Sequence, residues 1–485
     1  MSSRLKSSPT KSVLVSGHFN VIHPGHLRLL RFAKECGNRL IVAVESDRLA
    51  GNAAHVPQDL RLEGVLSNSF VDEAFIIDRP VPEMIERLRP DIVVKGKEHE
   101  GKFNPELEKL RSYGGTLLFS SGEALFSSLD LIRREFRELD PHSIRLPLDF
   151  MKRHQIEQEG LRQTVRRFEQ LKVVVIGDLI VDEYITCQPL GMSQEDPTIV
   201  VTPLDSVRFI GGAGIVAAHA AGLGAQVTFL SVVGQDDASD FSRKCLETFN
   251  VNSILLNDAT RPTTLKQRFR SKGKSLLRVS YLHQGAISAE LQQEMLKEFS
   301  RAVAGADLVV LSDFNYGCLP QALVDRIIAK ARQRKLLMAA DSQSSSQVGD
   351  ISRFRGMDLI TPTEREARIS TKNHEDGLVI LAELLRQQAG ARNVLLKMGE
   401  EGMLVHADGG EASKFLTDQV PALNAHPKDV AGAGDSLLIA SAMAMASGAN
   451  IWQASCLGSL AAAIQVGRVG NTPVLVSEVL GELHA

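Results

Sequence analysis

VLVSGHFNVIHPGHLRLLRFA (Val13–Ala33) passes from an apolar run, through Gly17 and a loop with two histidines three apart, into helical apolar spacing. A buried strand that turns through glycine into an amphipathic helix is the opening half of a parallel α/β unit. The flanking sequence continues the alternation. RLIVAVESD, EAFIID, DIVVKGKE and TLLFSS are strand-like, and VPEMIERLRP and NPELEKLRSYGG between them carry helical spacing. Strict alternation predicts a parallel sheet covered by helices, with ligands at the carboxyl ends of its strands.

The texture changes after about Asp130. DLIRREFRELD and MKRHQIEQEGLRQTVRRFEQL are charge-rich and helical, and PHSIRLPLDF breaks them. They predict a helical linker over 139–170, between a domain at 1–138 and a second one at 171–485. The second domain again alternates, with strand candidates VVVIGD, VTFLSVVG, DLVVLSD, KLLMAAD, MDLITP and NVLLKMG. The fold class expected is α/β, as two doubly wound domains. A length of 485 residues is too great for one ordinary core.

Composition narrows the function. Apolar content is 44%, charged content 23% and the formal net charge −3, which gives no reason to expect nucleic acid or an anionic membrane as partner. Five cysteines are scattered and never paired as CxxC, which predicts reduced thiols and a cytoplasmic setting. The start, MSSRLKSSPTK, lacks the apolar core of a signal peptide. SLLIASAMAMASGA is shorter than a membrane span.

The histidine pair sits where phosphate chemistry is favourable. A helix amino terminus presents unpaired N–H groups and the positive end of its dipole. His23 and His26 there can donate hydrogen bonds to a phosphoryl group that gains charge under attack. Gly25 leaves room for a nucleotide against the backbone.

A second constellation lies in HPKDVAGAGDSLLIASAMA (His426–Ala444). Gly432, Ala433 and Gly434 are small residues that bring backbone N–H groups together at a helix start, forming an anion hole. Asp435 beside that hole suits a general base for a sugar hydroxyl attacking a γ-phosphate. Taken alone, GAGD also reads as a plain helix cap. Three companions favour the chemical reading: the glycine-rich turn and helix of RFIGGAGIVAAHAAGLGAQVTFLSVVGQDD, the acidic strand end of GDLIVDEY, and the turn in LLKMGEEG.

SGHFNVIHPGH, with RLIVAVESD and DIVVKGKEH, resembles the cytidylyltransferase-like nucleotidyltransferases. Among these the likeness is greatest to the adenylyltransferase half of the bifunctional heptose 7-phosphate kinase/heptose 1-phosphate adenylyltransferases. The resemblance implies that His23, His26, Gly17, Phe19 and Gly25 hold nucleotide phosphates. It places Lys95 and Gly96 near the base or substrate and makes Arg61 phosphate-facing. Ser127 and Ser128 of FSSLDLI become a further helix-start contact, although a plain cap fits them as well. Two departures stand out: Asn20 replaces the usual aspartate, and the loop DRLAGNAAHVP has Arg48 but no lysine.

Residues 171–475 are similar to the ribokinase-like (PfkB) sugar kinases, with five motifs in the family's order. By that resemblance Asp435 is the base and Gly432, Ala433 and Gly434 form the anion hole. Glu366 of TPTEREA organises Mg2+ through water. Asp178, Asp182, Gly211 and Gly212 line the sugar site, and Lys397, Gly399 and Gly402 flank the ATP. Here too there are departures. Gly214-Ile215, Thr363, Tyr316 and DSQS stand where the family has asparagine, asparagine, lysine and DPKG. Arg261, Lys266, Arg268, Arg270 and Arg278 supply replacement charge or form an exposed hairpin. The implied substrates are a sugar phosphate, nucleoside triphosphates and ATP with Mg2+; no nucleic acid or membrane partner is expected, and a homodimer is. The two halves together imply nucleotide-activated sugar synthesis. A kinase–cytidylyltransferase for another sugar or polyol, and a kinase with a nucleotide-sensing first half, are the other readings.

Overall fold

The computed structural model describes residues 11–20, 22, 24–96, 99, 103–119, 144–193, 196, 198–271, 274–344, 349–408 and 416–484. His23, Ser127 and Ser128 lie outside the described residues. Two compact units form, Met1–Pro141 with Lys372–Leu384, and His142–Thr371 with Leu385–Ala485.

In the first unit, strands β1 (Ser12–Gly17), β2 (Arg39–Glu45), β3 (Glu73–Ile77), β4 (Ile92–Lys95) and β5 (Thr116–Phe119) are ordered β3-β2-β1-β4-β5. Every pairing is parallel. Such a sheet needs cover on both faces, which is why β2 reads as a continuous apolar run. Leu14, Ile41, Val93 and, from the helix Val81–Leu88, Ile85 meet in its core. The strand order reverses between β1 and β4. Their carboxyl ends therefore diverge into a crevice, the place where such sheets bind ligands. Gly17 ends β1 and Lys95 ends β4.

The second unit is built on nine strands: β6 (Lys172–Gly177), β9 (Gln226–Val233), β10 (Asn252–Asn257), β13 (Leu308–Asp313), β14 (Leu337–Ser342), β15 (Leu359–Ile360), β16 (Asn393–Lys397), β17 (Met403–Ala407) and β18 (Leu416–Val420). Their order is β10-β9-β6-β13-β14-β15-β16-β17-β18. Pairing is parallel from β10 through β16, and antiparallel between β16, β17 and β18. A separate four-stranded sheet, β12-β11-β7-β8, comprises β7 (Leu179–Met192), β8 (Ile199–Gly212), β11 (Thr264–Ser271) and β12 (Lys274–Tyr281). Its register sets Asp182 opposite Phe209 on one side and Lys266 on the other.

The helices Ala433–Ala446 and Ile451–Val466 pack closely because their facing residues are small. A Cβ added to Gly458 would stand 2.0 Å from Ser441 Oγ. Both helices are apolar all round, as befits buried elements.

The expected linker is corrected from Ile144 onward. Phe150, Met151, Leu161, Val165 and Phe168 belong to the main core of the second unit. The charge count concealed one apolar stripe, Leu161, Val165 and Phe168, at spacings of four and three. Arg153 and His154 also bind Asp418 of β18, each at 2.8 Å, and His154 stacks on Trp452.

Candidate active sites

The second unit has a cavity of about 290 Å3 at the start of the helix Ala433–Ala446. Gly432 caps that helix with φ 76°, in the left-handed region glycine favours. Space also demands glycine there, since a Cβ would meet Asn471 Oδ1 at 2.5 Å. Ala433 opens the helix, and Gly432, Gly434 and Asp435 line the cavity.

Asp435 is 6% exposed and accepts a hydrogen bond from Gln343 Nε2 at 3.1 Å. Burial, reinforced by the nearby Asp341 carboxylate, pushes its pKa up to about 7. A carboxyl poised there can take a proton near neutral pH. Lys397 Nζ binds Asp341 Oδ2 at 2.9 Å. Burial opposes the ammonium, but Asp341, Glu366 and Asp435 more than offset it, so the lysine pKa is raised and the charge is kept.

Glu366 is held from both sides. The Ser344 N–H donates to its Oε1 at 2.9 Å and the Thr363 N–H to its Oε2 at 2.8 Å. Thr363 Oγ1 in turn accepts from the Glu366 N–H at 3.3 Å. This reciprocal pair is a capping box for the helix Glu364–Thr371, and it explains how threonine replaces the asparagine of similar kinases. Both residues cap helices well.

The acidic strand end divides. Asp182 lines the cavity, with Oδ1 3.3 Å from Arg268 Nη2. Asp178, expected in the sugar site, is not among the residues lining the cavity. It accepts N–H bonds from Phe314, Tyr316 and Cys318 and so shapes the loop after β13. Burial and Asp313 nevertheless raise its pKa to about 6. Gly212 lines the cavity, while Gly211 makes room for Asp182, whose Oδ2 lies 2.4 Å from where a Cβ would be. Gly399 and Gly402 form the turn after β16, where the Met398 N–H donates to the Gly402 carbonyl.

Of the five replacement cations, Lys266 and Arg268 reach the cavity. Lys266 Nζ stands 5.0 Å above the Tyr316 ring, so positive charge returns from β11 where Tyr316 itself carries none. Arg261 is a buried brace, bonded to Asp258 and to the Tyr316 and Gly285 carbonyls. Arg278 is exposed, and Arg270 lies over the Tyr184 ring at 4.9 Å.

The sequence reading gave no site role to Asp341, Gln343 or Asn471, and noted the first two only as part of the departure DSQS. Asp341 and Gln343 sit at the carboxyl end of β14, and a strand end before a polar run was the available signal. Asn471 is 7% exposed with its Oδ1 unpaired, and it lines the cavity.

The first unit's crevice is a cavity of about 470 Å3 lined by Gly17, Phe19, Asn20, His26 and Lys95 among others. Gly25 and His26 lie in the first turn of the helix Pro24–Glu35. Phe19 adopts φ 50°, uncommon for a side chain of that size, and its ring lies 5.0 Å from that of His26. Strained backbone of this kind gathers at functional sites. Lys95 pairs with Glu106 at 2.8 Å, and His18 lies 3.2 Å from Glu45.

Arg61 does not face this cavity. It is 1% exposed and donates to the Val56 and His18 carbonyls and to Asp47. Arg48 is engaged by Asp78. Asn20 donates to the Ala53 carbonyl and accepts from the His55 N–H, at 2.7 and 2.8 Å. An aspartate could do only the second, so the exchange at this position ties down the loop.

The pfkB family of carbohydrate kinases matches residues 170–477. The chain belongs to that family. A cytidylyltransferase-like domain matches residues 14–115 of this pfkB-family chain. The chain is 29% identical over 332 residues to the bifunctional protein HldE of Pelobacter propionicus, covering 67% of this chain and 66% of that one. It is 32% identical over 330 residues to HldE of Bradyrhizobium diazoefficiens, covering 67% and 64%. The matches thus span just under two thirds of those relatives' length. Among solved structures, Thermotoga maritima ribokinase superposes with TM-score 0.51 at 21% identity, over 65% of this chain and all of that one. Escherichia coli phosphofructokinase-2 gives 0.53 at 16%, over 65% and 98%. These likenesses establish a ribokinase-like fold. No described helix is long and apolar enough to cross a membrane.

Proposed function

We propose that the chain is a bifunctional enzyme of nucleotide-activated sugar synthesis. Its 171–485 domain moves the γ-phosphate of ATP to a hydroxyl of a heptose phosphate, and its 1–138 domain joins a sugar 1-phosphate to a nucleotide. The observation that carries the reading is Asp435, a carboxyl with pKa about 7 at a glycine-capped helix start inside the cavity of a pfkB-family domain. Its Oδ accepts the proton of the attacking hydroxyl as the new O–P bond forms and the bond to the β,γ-bridging oxygen breaks. N–H groups of the helix start would meet the charge on the transferring group. Asp182, Asn471 and the cations Lys266 and Arg268 suit a polyhydroxylated, anionic acceptor.

Mg2+ fits this donor set as a companion of the nucleotide. Among the described residues no cluster of three or more acidic, histidine or cysteine side chains could cage a metal. Glu366, locked by two backbone N–H groups and facing the cavity, is suited to metal-bound water, the usual mode for Mg2+. Bound Mg2+ would supply charge neutralisation for the phosphates. In the first domain, His23 and His26 would hydrogen-bond the α-phosphate region as a sugar 1-phosphate oxygen attacks and pyrophosphate leaves.

Mass spectrometry tests both halves. Heptose 7-phosphate, ATP and CTP with Mg2+ should give a bisphosphate that vanishes in Asp435→Ala. After phosphatase treatment, an ADP- or CDP-sugar should appear that His23→Ala abolishes. The engagement of Arg48 and Arg61 away from the cavity favours a second reading of the first domain, nucleotide binding without transfer. Nucleotide affinity with no nucleotide sugar formed would select it.

A further inference from the structure

We infer that the Lys397 ammonium is the chain's own cation for the terminal phosphate of the bound nucleotide, seated by Asp341 on the floor of the anion hole. This rests on the kinase reading above. Lys397 ends β16, and the Lys397 N–H donates to the Pro362 carbonyl, so the parallel neighbour fixes where its side chain starts. The side chain is 13% exposed and lines the cavity, and Asp341, 1% exposed, anchors its Nζ at 2.9 Å.

The ammonium lies under the glycine turn. A Cβ on Gly434 would come within 3.1 Å of Nζ and within 3.6 Å of the lysine Cδ. Gly434 is thus small for a second reason: it leaves the path between the ammonium and the helix N–H groups open. Three carboxylates, those of Asp341, Glu366 and Asp435, act on this single ammonium. That excess of negative charge would repel an incoming triphosphate. Among the described residues Asp341 is the one hydrogen-bond partner of Nζ, and Asp341 Oδ1 has no partner of its own. A lysine ammonium has three donors, so Nζ can keep Asp341 and still reach a phosphate oxygen.

The argument separates ATP from ADP. A cation that only balances the carboxylates serves either nucleotide equally. One that meets the terminal phosphate favours the triphosphate alone, by about tenfold or more for a charge-assisted bond in a dry site.

The test is calorimetric titration of the full-length chain with the β,γ-methylene analogue of ATP and with ADP, both with Mg2+. Lys397→Met keeps length and removes charge. The double variant Lys397→Met/Asp341→Asn removes the carboxylate left uncompensated, so a folding defect in the single variant does not end the test. We expect the analogue's Kd to rise about tenfold or more in both variants while ADP changes by less than about threefold. Equal weakening of the two nucleotides, or none, overturns the inference and leaves the kinase reading standing. A wild-type chain that binds neither nucleotide overturns the kinase reading and this inference with it.

Discussion

Gln343 Nε2 donates to Asp435 Oδ1 across 3.1 Å, joining the end of β14 to the start of a helix 92 residues later. The bond engages Oδ1, so Oδ2 is the oxygen assigned to the acceptor hydroxyl in the proposed reaction. A donor on a carboxylate also favours its charged form. Gln343→Leu should lower kcat about tenfold, with KM for ATP within about twofold, because only the base is disturbed. Steady-state kinetics in the two substrates checks the split.

Asp435 also makes stability depend on pH. Its folded pKa, about 7, lies well above the ordinary aspartate value of about 3.9. The folded state therefore holds the proton more tightly, and stability from this group is full below about pH 4 and lost as pH rises through about 7. Asp435→Asn should leave the melting temperature unchanged at pH 4 and raise it progressively up to pH 8. Thermal scans across that range decide it. A variant destabilised equally at every pH would contradict the sign.

Asn20→Asp should not improve the first domain. The carboxylate keeps the bond from the His55 N–H and loses the donor that holds the Ala53 carbonyl. Hydrogen exchange at residues 51–55 should quicken in the variant, with the sheet amides of β1 and β4 unaffected.

Arg61→Met should cost about 2–4 kcal/mol of stability, since two carbonyls lose their donors and Asp47 its partner. Nucleotide affinity measured at a temperature where the variant is folded should stay within about threefold. A large selective loss of affinity would restore the arginine to phosphate binding.

How much of this was legible in the sequence differs from place to place. The parallel strands of the first unit could be read because β1 to β4 carry β-branched residues and are closed by glycine or charge, and β5 is a short apolar run after Gly114-Gly115. Gly432, Gly434 and Asp435 could be placed together at one helix start because they are contiguous in the chain. Arg61 misled, since a buried and a phosphate-bound arginine look alike until the partners are known. The carbonyl of His18 that it binds is 43 residues away. Asp178 and Asp182 are four residues apart, yet one faces a loop's N–H groups and the other the cavity. Asp341 and Gln343 carry the local signal of a strand end, but their meeting with Asp435 and Asn471 depends on the strand order β13-β14-β15-β16, which no local pattern encodes. The segment 144–170 was hidden by its charges, since its core residues Phe150, Met151, Ile156, Leu161, Val165 and Phe168 stand among exposed lysine, arginine and glutamate.

The central claim is that Asp435 is the base of a sugar-phosphate kinase. It is tested most directly by kcat/KM for phosphoryl transfer from ATP to heptose 7-phosphate, measured from pH 5 to 9 in the wild type and in Asp435→Asn. The wild-type rate should climb through an acid limb near pH 7 to a plateau, and the variant should fall by about 10²–10⁴ and lose that limb. A variant with wild-type rate and an unchanged limb would contradict the account.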